Sequence, residues 1–280
     1  MTDGPRSYER YLVPEFFVPC AEQLVRLAAP VAGERAVDLA CGTGVVARRL
    51  ADRGLSVTGV DVTDAMVAFA AAAEPRVDWR VAAAGALPLG DGTVDLVCCQ
   101  QGLQFFPDPA GAMRDVHRVL APGGRLALAV WRGIEHHPAW AAFVDALEQW
   151  AGPEAGALMR RPLSGPDRDG LRRLLTAAGF TRVRVRIATV LPRFPSAREF
   201  LRQETAGSPL AGVLDPALVD RLGEQLERAL APYTDDDGSC CRCRPGSPPP
   251  AAEAAYVELR TDRVDPGRMC RQGPPARLSA

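Results

Sequence analysis

A short apolar run that ends in a glycine-rich turn constrains the fold of this chain more than any other feature. Residues 36–44 read Ala-Val-Asp-Leu-Ala-Cys-Gly-Thr-Gly, and the helix-forming residues 45–51 follow directly. The glycines let a ligand approach the backbone closely, at a point where the N-terminal amides of a helix face it. A second apolar run, residues 56–60, ends on Asp61. An acid at the tip of the second strand is placed to accept hydrogen bonds from the two hydroxyls of a ribose.

Apolar runs alternate with helix-forming runs along most of the chain. Strands are predicted at 36–40, 56–61, 77–82, 94–99, 125–131 and 181–191, and helices at 44–53, 64–73, 109–120 and 169–178. Strands that alternate with helices form a mostly parallel, Rossmann-like α/β sheet with helices on both faces. Because ligands bind such sheets at the carboxyl ends of the strands, we expect the loops after the first four strands to line one site.

The pattern divides the chain into three parts. They are a helical arm or lid (1–34), a main domain (35–237) with a helical cap in 132–166 and 196–232, and a C-terminal tail (238–280). The tail is dense in Pro, Arg and Cys and shows little periodicity, which favours disorder. Its composition also resembles that of a gene read out of frame after Asp237. Only residues 254–259 within it are typical of a strand.

Composition and charge exclude several classes of function. The formal net charge of −1 gives no overall field that would attract nucleic acid or an anionic membrane. No apolar run approaches the roughly 18 residues of a membrane span, and the polar N-terminus is unlike a signal peptide, so a cytoplasmic protein is expected. The eight cysteines do not form two C-x-x-C pairs, which a four-cysteine zinc site would need, so no metal site is predicted.

Four stretches, in the same order along the chain, carry a family resemblance. They are residues 37–44, 59–63, 87–97 and 118–126. They resemble the glycine motif, the acidic motif, the entry to strand 4 and the passage into strand 5 of class I S-adenosylmethionine-dependent methyltransferases. The arm and residues 100–107 most resemble small-molecule enzymes of the ubiquinone/menaquinone-biosynthesis type (methyltransferase type 11). The resemblance implies a seven-stranded, mostly parallel sheet, whose seventh strand would have to come from the tail.

The resemblance also implies an S-adenosylmethionine site. Its implied members are Tyr11, Asp38, Ala40, Cys41, Gly42, Gly44, Asp61, Val62, Met66, Ala84, Gly85 and Gln100. The amides of residues 40–42 would cradle the methionine part, with Asp38 orienting them or facing the amino group, and Asp61 would accept the ribose hydroxyls. Where relatives usually offer an Asp to the adenine amine, this chain has Ala83. One lost hydrogen bond of this kind costs on the order of 1 kcal/mol.

Methyl transfer asks mainly for proximity and alignment, and a base is needed only if the acceptor must lose a proton. His136 and His137, after the fifth strand, are the candidate bases. Tyr8, Gln104, Phe105 and Trp140 are the candidate substrate contacts. The hydrophobic cap and aromatic arm indicate a small, mostly apolar acceptor methylated on O, N or C. A homodimer is compatible with such a protein.

Two other interpretations stay open on the sequence. Residues 42–47 also match G-x-G-x-x-A, which is typical of a nicotinamide oxidoreductase. Against this, Asp38 interrupts the strand, and a chain without lysine has no Tyr-x-x-x-Lys pair. A repurposed, non-catalytic S-adenosylmethionine-binding protein would fit Ala83 and the unusual tail.

Overall fold

The computed structural model describes residues 4–190, 192, 194–212, 214–233 and 252–261. The strands in this part of the chain are β1 (Arg35–Leu39), β2 (Ser56–Asp61), β3 (Asp78–Val81), β4 (Val94–Gln100), β5 (Leu120–Trp131), β6 (Thr181–Val190) and β7 (Ala252–Arg260). They form one sheet in the order β3-β2-β1-β4-β5-β7-β6. β1 to β5 are parallel, and β7 is antiparallel to both of its neighbours. The predicted mostly parallel α/β fold is confirmed.

Helices cover the sheet and build the cap. They are α1 (Gly4–Tyr11), α2 (Val18–Ala28), α3 (Val45–Ala51), α4 (Asp64–Ala73), α5 (Pro109–Val119), α6 (Pro138–Ala151), α7 (Pro153–Arg160), α8 (Arg168–Ala177), α9 (Ala197–Gly207) and α10 (Pro216–Leu230). A π-helical turn, Val13–Phe17, joins α1 to α2. Most boundaries fall within two residues of the predicted ones, because Gly, Pro and capping acids punctuate the sequence there.

Three apolar clusters hold these layers together. On one face of the sheet α2 and α3 bury Leu24 and Leu50, and on the other α5 and α8 bury Met113 and Leu171. The third cluster joins the cap helices α6, α9 and α10 to Phe16 of the arm. Within the predicted arm, α2 packs on the sheet as a structural helix, whereas Leu12 and Phe16 pack with the cap helices.

The seventh strand comes from the segment in which disorder or an out-of-frame sequence is predicted. β7 lies between β5 and β6, so that Tyr256 pairs with Ala129 on one side and Arg186 on the other. Ala254 and Val257 are fully buried. Residues 252–260 are therefore a paired internal strand, which includes the part of the tail, 254–259, that is typical of a strand in the sequence. Residues 234–251 and 262–280 lie outside the described residues.

The indole of Trp79 on β3 lies flat over two glycines of the neighbouring elements. A Cβ built on Gly59 would meet ring carbons of Trp79 at 2.3 Å, and one built on Gly44 would meet Cη2 at 2.4 Å. The indole Nε1 donates to the Glu74 carbonyl at 2.9 Å, which fixes the ring. Because Gly44 and Gly59 have no side chains, the Trp79 ring has room to pack against β2 and the start of α3.

We expect Gly59→Ala to lower the free energy of unfolding by about 1–3 kcal/mol, because the added methyl overlaps the Trp79 ring in a packed layer. Chemical denaturation of the purified protein measures this. Gly4→Ala, where no atom lies within 4 Å of the added Cβ, is the control and should stay within about 0.5 kcal/mol. Adding Trp79→Leu to Gly59→Ala should recover part of the loss. Equal stability of Gly59→Ala and the wild type would contradict this packing.

Candidate functional site

The backbone of the turn after β1 passes through the left-handed region at two residues, a conformation that glycine adopts freely and alanine does not. Ala40 and Gly42 both have left-handed φ values, 56° and 53°. The Cys41 amide donates to the Val60 carbonyl at 3.0 Å, which ties the turn to the end of β2. A Cβ on Gly42 would meet only a ring carbon of Tyr8, at 4.0 Å. The backbone at Gly42 is therefore open toward the space beneath the arm.

Asp61 joins the turns that follow β1 and β2. Its Oδ2 accepts from the Gly42 amide at 2.9 Å, and its Oδ1 accepts from the Thr63 amide at 2.9 Å. A carboxylate oxygen has further lone pairs, so both oxygens can accept additional hydrogen bonds from a ligand. The sequence predicts this carboxylate at the tip of the second strand, and the structure places it there.

Asp38 lies behind the glycine turn. Its side chain is 1% exposed, and Oδ2 accepts from the Ala47 amide in the first turn of α3 at 2.8 Å. Burial raises the pKa of Asp38 to about 7, which the Ala47 hydrogen bond opposes and the negative charge of Asp61 reinforces. Asp38 therefore anchors the helix N-terminus and holds the turn from below.

A cavity of about 910 Å³ opens at the carboxyl ends of the strands, beneath the arm and the cap. This is at the upper end of the roughly 300–1,000 Å³ of ligand pockets. Most of the predicted site residues line it: Tyr8, Ala40, Gly42, Asp61, Val62, Met66, Ala84, Gly85, Gln100, Gln104, Phe105, His137 and Trp140. Ala83 also faces the cavity with its methyl group, so no side-chain acceptor exists at that position.

Five predicted residues do not line this cavity: Tyr11, Asp38, Cys41, Gly44 and His136. The Tyr11 ring lies between the guanidinium groups of Arg10 and Arg202, 5.2 and 5.1 Å from its centroid. Gly44 faces Trp79, and the Cys41 side chain is buried in the turn. Their proposed contacts with a ligand stay predictions, and the contacts described here are the ones they make within the protein.

The two candidate bases differ in position. His136 is partly exposed, with Nε2 3.3 Å from Glu135 and Nδ1 3.8 Å from Glu253. His137 is 1% exposed and lines the cavity. Its Nε2 lies 3.2 Å from the Arg132 carbonyl, so Nε2 carries the proton and donates it. Burial lowers the pKa of His137 to about 4, which leaves a neutral ring at neutral pH.

Three glutamines after β4 bring polar atoms to the cavity wall. Gln100 Nε2 donates to the Phe17 carbonyl at 3.1 Å, and Gln101 Oε1 accepts from the Trp131 amide at 2.7 Å. Among the described residues, Gln100 Oε1, Gln101 Nε2, Gln104 Oε1 and His137 Nδ1 are buried without a hydrogen-bond partner. Buried polar atoms without partners are rare in folded proteins, so these atoms mark where a polar ligand group would bind.

Sequence reasoning missed several residues of the site. Glu204 of α9 lines the cavity, is 4% exposed, and has its pKa raised to about 8 by burial. Arg161 lines it as well, with its guanidinium 5.6 Å from the centroid of the Phe105 ring. The only signal for Glu204 in the sequence is a carboxylate on the apolar side of α9, four residues after Phe200.

Comparison with known proteins agrees with this geometry. Residues 37–128 match a family described as "Methyltransferase domain". A ubiquinone/menaquinone biosynthesis C-methyltransferase of Rubrivivax gelatinosus is 36% identical over 176 residues, covering 58% of this chain and 68% of the relative. The chain belongs to the class I S-adenosylmethionine-dependent methyltransferases. The nicotinamide interpretation of the glycine turn is therefore wrong.

Other relatives match over a shorter part of their length. A ubiquinone biosynthesis O-methyltransferase of Pseudomonas aeruginosa is 36% identical over 106 residues, which is 36% of this chain and 46% of that protein. A solved phosphoethanolamine N-methyltransferase of Haemonchus contortus, with S-adenosylhomocysteine bound, has a TM-score of 0.61 and 19% identity, covering 94% of this chain and 58% of that one. The last comparison shows the shared fold.

S-adenosylmethionine is the cofactor of this family, and the residues present fit it. The open backbone at Gly42, the accepting oxygens of Asp61 and the small residues 83–85 leave room for a nucleoside along the strand ends. Val62 lines the same region and is 72% exposed, so an apolar face is available for a base to cover. Among the residues that the structure describes, no helix is long and apolar enough to cross a membrane and no cluster of metal ligands occurs.

Asp38 makes the stability of the protein depend on pH in a defined direction. Its pKa is about 7 in the folded chain against an ordinary value of 3.8 for an aspartate side chain. The folded state therefore binds the proton more tightly, so the contribution of Asp38 to stability is fully present below about pH 4 and is lost as the pH rises toward about 7. Asp38→Asn cannot ionise but can still accept from Ala47. Relative to the wild type, its free energy of unfolding should rise by about 1–3 kcal/mol over that interval.

Denaturant unfolding between pH 4 and pH 8 measures this difference. Asp95→Asn is the control, because hydrogen bonds from Arg35 lower the pKa of Asp95 below its ordinary value of 3.8. The contribution of Asp95 to stability is therefore already present at about pH 5 and above, so the difference between that variant and the wild type should stay nearly constant from about pH 5 to pH 8. The prediction is wrong if the difference in free energy of unfolding between Asp38→Asn and the wild type is the same at every pH, because Asp38 would then be ionised over the whole range.

Proposed function

We propose that this methyltransferase transfers the methyl group of S-adenosylmethionine to a small, largely apolar molecule in quinone-type or specialised-metabolite biosynthesis. The observation that carries the proposal is the Asp61–Gly42 junction, which opens into a cavity whose far wall is aromatic. A 2.9 Å hydrogen bond joins the two residues, and both of them line that cavity. The relatives that support the substrate class are named as ubiquinone and menaquinone biosynthesis enzymes.

One half of the cavity would hold the cofactor. Asp61 would accept both ribose hydroxyls, the turn at residues 40–42 would meet the methionine part, and Val62 and Met66 would flank the adenine. The backbone of Ala84 and Gly85 would contact the edge of the adenine ring, since Ala83 has no carboxylate to offer it. Bound there, the cofactor supplies an electrophilic methyl carbon on a sulfonium.

The other half of the cavity suits the acceptor. Its wall includes the aromatic residues Phe16, Phe17, Phe105, Trp131 and Trp140. Pockets lined in this way favour apolar ligands and orient them through a few polar groups. Tyr8 extends between the two halves, with its ring 5.1 Å from that of Phe17. An aromatic face near a sulfonium stabilises the cation by about 0.5–2 kcal/mol.

The protein would orient the acceptor relative to the cofactor and exclude water from both. The acceptor atom must lie in line with the bond from methyl carbon to sulfur, and the arm and cap fix that alignment by enclosing both molecules. A neutral His137 with a free Nδ1 is a candidate hydrogen-bond acceptor for the acceptor molecule. Its pKa of about 4 makes it a weak base, so its proposed role is orientation.

Asp61→Ala should weaken the binding of S-adenosylhomocysteine roughly tenfold or more, through the loss of charge-assisted hydrogen bonds to the ribose and of the support for Gly42. Isothermal titration calorimetry measures the affinity. Asp64→Ala, an exposed acid three residues further along the same segment, is the matched control and should bind as the wild type does. Unchanged affinity in Asp61→Ala would place the ribose elsewhere.

The catalytic part of the proposal has its own test. The wild type should release S-adenosylhomocysteine from S-adenosylmethionine in the presence of reduced naphthoquinones, and should show no calorimetric binding of NAD. Cofactor binding without turnover of any acceptor would favour the repurposed, non-catalytic alternative.

A further inference from the structure

Glu204 is a buried acid that has no role in the proposed binding of the cofactor. On α9 it lies one turn beyond Phe200, so these two residues share the inner face of the helix, and Ser208 caps the end of the same helix. Glu204 and Ser208 both line the cavity. An acid that is 4% exposed in such a wall is rare unless it is paired or used.

The surroundings of Glu204 are aromatic. The side chain of Trp140 on α6 donates a hydrogen bond to its carboxyl group. The Trp140 ring in turn packs edge-on against Phe200 at 5.3 Å and against Phe16 of the arm at 4.9 Å. Burial raises the pKa of Glu204 to about 8, and the Trp140 hydrogen bond opposes that rise. The carboxyl is thus held rigidly at the aromatic end of the cavity.

Most of the unpartnered atoms in the same cavity are hydrogen-bond acceptors. They are Gln100 Oε1, Gln104 Oε1 and His137 Nδ1, against one donor, Gln101 Nε2. These atoms form a wall that requires mainly hydrogen-bond donors from whatever binds. A purely hydrocarbon acceptor would leave these buried atoms unsatisfied, at a cost of roughly 1–3 kcal/mol for each.

We propose that Glu204 is the catalytic base of this enzyme and that the acceptor is an apolar ring compound bearing a phenol or quinol hydroxyl, whose proton Glu204 accepts. The inference rests on the proposed function. The hydroxyl proton passes to the Glu204 carboxylate, and the resulting electron pair, on oxygen or on the ring carbon in conjugation with it, forms the bond to the methyl carbon. The carbon–sulfur bond breaks with its electron pair going to sulfur. S-adenosylhomocysteine leaves, and the proton of Glu204 is returned to solvent.

The chemistry favours a hydroxyl over an amine. A phenol has an ordinary pKa of about 10, and a base is most effective when its own pKa is near the working pH. A carboxylate beside an amine acceptor would favour its protonated, ammonium form, because a nearby opposite charge raises the pKa of the amine. An ammonium nitrogen has no lone pair for the methyl carbon. The hydroxyl, in contrast, becomes more nucleophilic as its proton is drawn toward Glu204.

The test is turnover of three probes with S-adenosylmethionine by the full chain, read as S-adenosylhomocysteine released. The probes are 1,4-naphthalenediol, 2-naphthol and tryptamine. We expect one or both hydroxyl probes to be methylated. In Glu204→Gln, kcat should fall about 100-fold, while the affinity for S-adenosylhomocysteine stays within about twofold of the wild type. Gln has nearly the same volume and can still accept from Trp140.

The pH profile separates a base from a structural residue. Wild-type kcat should rise with pH through about 8, where Glu204 ionises, and this step should vanish in Glu204→Gln. The charged and titratable groups that face the cavity with Glu204 are Tyr8 from α1, Asp61 from β2, Asp108 before α5, His137 before α6 and Arg161 after α7. α10, which packs on α9, contributes Leu222 and Leu226 to their shared cluster. Asp38 titrates near the same range, but it is retained in both proteins.

Two further variants keep the result interpretable. Glu204→Asp retains a proton acceptor and should keep the pH step at reduced kcat, even if Glu204→Gln folds poorly. Glu227→Gln removes an ion pair with Arg198 on the outside of the cap and should leave kcat unchanged.

Wild-type kcat and pH profile in Glu204→Gln would overturn the inference. So would turnover of tryptamine alone by a wild type that binds S-adenosylhomocysteine. Absence of cofactor binding by the wild type, or cofactor binding without turnover of any probe, would instead count against the proposed function itself.

Discussion

The hydrogen bonds of Asp61 are the constraint on which the site depends. Its two oxygens hold the amides of Gly42 and Thr63 at 2.9 Å, and so fix the turn after β1 relative to the turn after β2. Parallel pairing of the two strands, with Asp38 opposite Gly59, sets their ends at the same level. Without the carboxylate, two adjacent turns would have unsatisfied amides facing an apolar cavity. The same interaction therefore builds the turn and presents acceptors to a ligand.

The fold was predictable because its central strands have a strong local signal. β1 and β4 are buried on both faces and read as nearly continuous apolar runs, and each is followed by Gly, Pro or a capping acid. The positions of Gly42 and Asp61 follow from the same pattern, since the carboxyl ends of parallel strands meet at one edge of the sheet. β7 was harder to predict, because it lies in a Pro- and Arg-rich segment and only its pairing with β5 and β6 shows that it is internal.

Residues whose role depends on distant contacts were not predictable from local sequence. Gly44 belongs to the same glycine turn as Gly42, yet it accommodates Trp79, a residue 35 positions away in the sequence. Tyr11 and Tyr8 are three residues apart, but Tyr11 stacks on Arg202 of the cap while Tyr8 lines the cavity. In the sequence Glu204 resembles a solvent-exposed helix residue, whereas in the structure α6 and the arm pack around it. The spacing of residues in the sequence shows which side chains share one face of a helix or strand. Only the packing of the folded chain determines what that face contacts.

The electrostatics of the cavity suit a reaction in which charge disappears. Burial favours the neutral forms of both His137 and Glu204, so at neutral pH the acceptor half contains few ionised groups despite its polar atoms. A cationic methyl donor that meets an anionic oxygen gives two uncharged products, and a surrounding of low dielectric constant strengthens the attraction between the reacting charges. A wall rich in permanent carboxylates would instead stabilise the cation before reaction and oppose deprotonation of the acceptor. A carboxyl whose pKa is raised to about 8 is a stronger base, once ionised, than an ordinary carboxylate, which is a physical reason for placing Glu204 among aromatic rings rather than beside an arginine.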